Sequence, residues 1–145
     1  MKRKQLIESR AYRILRPLAQ YRQITTAADI LQPVTFQEFP EREHLIGIYE
    51  NIPNDYHESI TVTTSGCHWF LNDEWRFAKY DQILKVEVSD DQKMNKRLVD
   101  RLVVHLKAGD VIELPIRGGK SGTPDAWEFL RFLDRVVEDV KSTEA

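Results

Sequence analysis

Residues 58–77 read ESITVTTSGCHWFLNDEWRF, and their side chains change face at every step. Ile60 and Val62 fall on one face with threonines mainly on the other, Ser65-Gly66 is a two-residue hairpin signal, and Cys67, Trp69 and Leu71 resume the alternation opposite His68 and Phe70. Asn72-Asp73 turns the chain again, into Trp75 and Phe77. A period of two joined by tight links predicts an antiparallel sheet, and the pattern runs on in both directions. Upstream, His44 to Glu50 is apolar on both sides, as in a strand covered on two faces. Downstream, Leu84, Val86 and Val88 form a fifth strand and the polar run Ser89 to Arg97 a loop. Leu98, Leu102, Val104 and Leu106 continue with Asp100 as the one polar break, and Ala108-Gly109-Asp110 turns into Ile112, Leu114 and Ile116.

After Thr123 the period becomes helical. Ala126, Phe129, Leu130, Leu133, Val136, Val137 and Val140 lie on one arc, with Glu128, Arg131, Arg135 and Glu138 opposite. Thr123 is the expected cap, Pro124 the first helical residue and Asp125 a favourable charge at the dipole's positive end. Trp127 and Phe132 stand at the two margins of the arc, placed to seal its edges or to touch a partner.

Upstream of the strands, Ile7, Ala11, Ile14, Leu18 and Tyr21 recur at four- and three-residue spacing, an amphipathic helix that Pro17 interrupts and should either kink or restart. A second short helix is expected from Thr26 to Gln32 and a connector over 33–43. The domain organisation is therefore a basic helical extension over 1–32, the connector, and an α+β domain over 44–145.

The 145 residues match one core of ordinary size. With 41% hydrophobic and 30% charged residues the chain is neither disordered nor membrane-embedded, and no apolar stretch of signal-peptide type follows Lys2, Arg3 and Lys4. Cys67 is the only cysteine, which fits a reducing cytoplasm. The net charge of −2 hides an asymmetry. Residues 1–22 carry seven basic side chains against Glu8, whereas the remainder is acidic.

Seven short strands followed by one capped helix with a tryptophan in its first turn resemble the pleckstrin-homology-like superfold, over about residues 44–141. The likeness is greatest to small bacterial pleckstrin-homology and GRAM-like domains, through WRFAKYDQILKVEV at 75–88, KAGDVIELPI at 107–116 and DAWEFLRFLDRVV at 125–137. The resemblance implies a half-open barrel of two sheets plugged by the helix, a bacterial origin, and a scaffold that binds lipids, peptides or proteins. Members that recognise phosphoinositides cluster Lys and Arg around the first hairpin. Here residues 51–57 contain no Lys or Arg and carry Asp55, so phosphoinositide binding is expected to be absent or weak.

Arg117-Gly-Gly-Lys120-Ser121-Gly122 combines glycines, two cations and a following helix, the parts of a phosphate cradle. A P-loop would need glycine at 114, which is Leu114, so a solvated turn is the plainer reading and a weak anion site the alternative. The four histidines and Cys67 lack metal-ligand spacing, and Cys67-His68 makes a poor nucleophile pair because strand neighbours face opposite ways. No metal or other cofactor is expected.

These readings converge on a non-enzymatic protein-interaction or scaffold module. Candidate partner contacts are Arg117, Lys120, Ser121, Trp127 and Phe132. The N-terminal stripe is expected to pack on its own domain or on a second copy, giving a dimer through Ile7, Ile14, Leu18 and Tyr21. The alternatives are an anionic ligand or membrane surface met by the basic helix or the glycine-rich loop, and an enzyme of unfamiliar type. Clustered cations could also meet nucleic acid, but the acidic remainder speaks against it.

Overall fold

The structure, a computed structural model, describes residues 3–23, 45–52, 55, 58–120 and 123–144. Two antiparallel sheets and two helices make an α+β fold. One sheet has the order β1 (Tyr21–Gln23), β2 (Leu45–Glu50), β3 (Ser59–Thr63), β4 (Gly66–Leu71) and β5 (Glu74–Lys79). The second contains β6 (Ile83–Val88), β7 (Arg101–Leu106) and β8 (Val111–Pro115). No ladder joins the two sheets among the described residues, so they do not close into a barrel. The expected strands between 44 and 116 correspond to β2 through β8. The helix expected at 26–32 and the connector at 33–43 lie outside the described residues.

Turn chemistry fixes the strand order. At the β3–β4 turn the Thr63 hydroxyl accepts from the N–H of Ser65 and Gly66 at 3.1 and 3.0 Å. Asn72 and Asp73 take φ of 52° and 62°, the left-handed conformation that hairpin links require and that short polar side chains tolerate. Gly109 at φ 106° turns β7 into β8. The sheets meet through Trp69, whose indole N–H donates to the Glu113 carbonyl at 2.9 Å.

Helix α2 (Ala126–Glu144) packs on β6, β7 and the single turn Tyr80–Gln82. Its expected arc is buried except for half-buried Leu130. Phe132 corrects the expectation of a marginal residue. It is fully buried, edge-on to Tyr80 at 6.2 Å and to Phe129 at 6.4 Å, because Tyr80 offers an aromatic wall the helical arc alone does not reveal. The helix also starts later than the caps suggested. Thr123–Pro124 forms a small bridge with Gly119–Lys120, two short strands here termed β10 and β9, and Asp125 is the last residue before α2.

The N-terminal segment is shorter as a helix and more integrated than expected. Helix α1 (Arg3–Ile14) lies on α2, burying Ile7, Ala11, Ile14 and Leu15, and Arg10 grips Asp139 of α2 at 3.0 and 3.4 Å. The helix ends at Ile14 and Pro17 lies in the turn that follows, so the stripe is interrupted there with neither a kink nor a restarted helix. Tyr21 therefore belongs to β1, where it pairs with Tyr49, and its ring fills the space a Cβ on Gly47 would need. Three of the four residues assigned to a dimer contact, Ile7, Ile14 and Tyr21, are thus buried by their own chain, and Leu18 is half-buried. The stripe is covered without a second copy.

Two strand readings change for local reasons. A register shift between Ile83 and Lys85 turns Ile83 into the core and leaves Leu84 exposed. Leu98 sits in a one-turn 3-10 helix, Lys96–Leu98, and is exposed, while Val99 enters the core.

On β4, His68 is buried and stacks on Phe77 with ring centroids 3.9 Å apart, and burial lowers its pKa to about 4. A folded-state pKa below the ordinary value of about 6.5 means that the unfolded chain takes up the proton first. Stability should therefore hold above about pH 6.5 and fall by roughly 3 kcal/mol as pH drops toward 4. Urea unfolding at several pH values checks this, since His68→Gln should flatten the acid limb. An unchanged slope in that variant would discount the histidine.

Candidate interaction site beside the start of helix α2

The glycine-rich loop is held from beneath. Asn51 donates to the Pro115 carbonyl at 2.9 Å and accepts from the Arg117 N–H at 2.6 Å. The Tyr49 hydroxyl accepts from the Gly118 N–H at 3.0 Å and donates to the Asp125 carboxylate at 2.7 Å. Asp125 closes the circuit, its N–H donating to the Gly118 carbonyl at 3.0 Å. Gly118 is needed here because a Cβ would collide with Gln20 and the Tyr49 hydroxyl. Burial, then the bond to Asp125, push the Tyr49 hydroxyl's pKa well above the usual tyrosine range.

Asp125 also sets the start of α2, its carbonyl accepting from the N–H of Glu128 and Phe129 at 3.0 and 3.1 Å. The helix's positive end thus has a carboxylate of the chain's own beside it, which weakens the case for an external anion there. The loop's cations add little to that case. Arg117 is engaged by Glu58 at 3.0 Å. Lys120 is described only through its main chain, in β9, and Ser121 lies outside the described residues.

What the structure does form is a groove of about 550 Å³ between the α1–β1 turn and the first turn of α2. Pro17, Leu18, Ala19 and Gln20 line one wall, with Pro124, Trp127 and Glu128 opposite. Of the sequence candidates, Trp127 and Leu18 reach this groove, Arg117 does not line it, and Phe132 is buried in the core. Trp127 is half-buried, and its indole N–H donates to the Lys96 carbonyl at 2.9 Å. Sequence reasoning missed the Pro17–Gln20 wall, since that stretch reads as the end of a helix. The Tyr49–Asp125 pair was equally hidden, because no periodicity links residues 76 apart.

Neither the groove nor the core presents an activated nucleophile among the described residues. Cys67 is buried and its thiol is pushed up to about 12 by desolvation, against a weak opposing contact from the Tyr80 hydroxyl at 3.8 Å. Among the described residues no three His, Cys, Asp or Glu gather as a metal site would require, and no helix is long and apolar enough to cross a membrane.

No protein-family model, curated protein or solved structure matches this chain. The functional reading therefore rests on geometry.

Proposed function

We propose that the chain is a non-enzymatic protein-interaction module of pleckstrin-homology-like type, which holds a peptide segment of its partner in the groove between the α1–β1 turn and α2. The groove carries the reading. It is open, mostly apolar in its walls, and built on rigid elements: α1 is fastened to α2, and the loop beside the groove is tied down through Tyr49, Asn51 and Asp125. Support for the fold type comes from the four strands β2–β5, the three strands β6–β8 and a C-terminal helix in that order. Pro17, Leu18, Pro124 and Trp127 suit apolar side chains, and Glu128, held only by an exposed pair with Arg131 at 2.8 Å, gives the rim a carboxylate for which a partner's cation competes.

A displayed library of random peptides should yield binders carrying apolar residues beside Lys or Arg. Ala19→Arg, at an exposed turn position, should fill the groove and abolish their binding while leaving the melting temperature unchanged. Failure to enrich any peptide, or binders indifferent to Ala19→Arg, would overturn the proposal.

A further inference from the structure

The link between β6 and β7 inverts the usual arrangement of a solvated loop. Most of its polar side chains are spent on its own construction. Asn95 accepts from the Arg97 N–H at 3.2 Å, Gln92 accepts from the Asp100 N–H at 3.1 Å, Lys93 pairs with Asp90 at 2.7 Å and Glu87 at 3.2 Å, and Arg101 holds Asp91. Its large apolar side chains face water instead. Met94 is 95% exposed and Leu98 68% exposed, and Lys96 and Arg97 between them are exposed with no carboxylate of the described residues paired to either. A single exposed Leu or Met is ordinary, but two flanking a pair of free cations on a preorganised loop form a docking surface whose ordering cost is largely met before binding.

The complement to that surface is on the same molecule. The groove has apolar walls and two carboxylates in its lining, Asp125 bound to Tyr49 and Glu128 in a weak exposed pair with Arg131 at 2.8 Å, whereas the loop has apolar tips and carries Lys96 and Arg97. The two lie side by side, since Trp127 lines the groove and donates to Lys96, and Thr123–Pro124 packs against Lys96–Leu98. Within one chain the loop is held alongside the groove by the bond from Trp127, itself a groove residue, to the Lys96 carbonyl. When a projecting and a receiving surface are neighbours on one chain, a twofold axis between them can bring each opposite its counterpart on a second copy and close the assembly at two.

We propose that the protein forms a twofold dimer in which Met94 and Leu98 of each copy enter the groove of the other, with Lys96 set against the partner's carboxylate at the groove rim. This rests on the groove being a docking site as proposed above, and adds that one occupant is the chain's own loop. Charge at the contact governs register and encounter rate more than affinity.

Sedimentation equilibrium of the full chain at several concentrations tests it. A concentration-dependent dimer is expected, weakened at least tenfold by Met94→Asp, by Leu98→Asp and by Ala19→Arg. All three side chains are exposed and lie clear of the core, so circular dichroism and melting should stay at wild-type values. Lys96→Glu alone and Glu128→Lys alone should each weaken the homodimer several-fold, and an equimolar mixture of the two variants should recover a dimer within about threefold of wild type, a rescue that a Lys96–Glu128 contact within one chain does not give. A strictly monomeric chain overturns the proposal, as does a dimer indifferent to Met94→Asp and Leu98→Asp. Sedimentation with phosphatidylserine-containing vesicles that is lost in Met94→Asp, from a chain monomeric in solution, would assign the loop to a membrane and equally overturn it. If the chain is monomeric but still binds peptides in an Ala19→Arg-sensitive way, the groove stands and only the self-pairing falls.

Discussion

Between pH 8 and pH 11 the protein should lose on the order of 7 kcal/mol of stability, with the loss arising in four interior side chains. Tyr21, Tyr49, Tyr80 and Cys67 are all buried at 5% exposure or less. Desolvation raises the pKa of each, first and most strongly. Mutual proximity of Tyr21, Tyr80 and Cys67 and the bond from Tyr49 to Asp125 push the tyrosines further in the same direction. The sign follows from which state ionises first. The unfolded chain releases these protons near the ordinary values, about 8.5 for Cys and about 10 for Tyr, while the folded chain holds them. Stabilisation is therefore complete below those values and is lost as pH rises toward the folded ones, at about 1.4 kcal/mol per group per unit. A loss of that size rivals the whole stability of an ordinary domain, so a cooperative alkaline transition is expected. Circular dichroism followed together with tyrosinate absorbance should show structure and phenol protons departing in one step. Phenols that all ionise near pH 10 while the dichroism persists would contradict it.

Ile14→Asp should be the most damaging substitution in the N-terminal segment. Ile14 is 7% exposed among Leu15, Ile7 and Ala11, and the nearby cation Arg10 is already committed to Asp139. A carboxylate placed there is buried without a partner, at a cost of about 4 kcal/mol or more. For a chain of this size that lowers the melting temperature by roughly 8–16 °C. Tyr12→Asp, on the exposed side of the same helix, should shift it by no more than about 2 °C. Equal melting of Ile14→Asp and wild type would mean that α1 is detached from α2 in solution. Light scattering separates this from a subunit contact through the stripe: the change should appear as unfolding, not as a folded dimer becoming a folded monomer.

How much of this was legible in the sequence depended on whether a residue's surroundings were local. Strands β3 to β5 could be read from period-two alternation and from Asn72-Asp73, since partner strands follow at once in the chain. Helix α2 could be read because its arc and its first turn are both local. Ile83 and Leu84 exchanged places because a register shift depends on how β7 lies alongside, which the β6 sequence does not encode. Leu98 fits the strand pattern by its apolar character, whereas the loop's own hydrogen bonds hold it outward. Phe132 and Tyr21 were misplaced for a shared reason. Both sit where a second element supplies the wall, Tyr80 in one case and β2 in the other. The groove was illegible as a site, because its walls come from segments about 100 residues apart that meet only once α1 has docked.

That docking also bears on how the protein is made. The bond from Arg10 to Asp139 spans 129 residues. At a synthesis rate of about 5–20 residues per second, α1 leaves the ribosome roughly 6–26 seconds before the part of α2 that covers it. During that interval Ile7, Ile14 and Leu15 have no native partner, and an amphipathic basic helix with an open apolar stripe is the kind of nascent segment that chaperones bind and that aggregates when they do not. Closing so long a loop is entropically slow, so the α1–α2 clasp belongs to the late stages of folding. The clasp that makes the finished fold cohesive leaves the stripe of α1 uncovered until the 129 residues up to Asp139 have followed it.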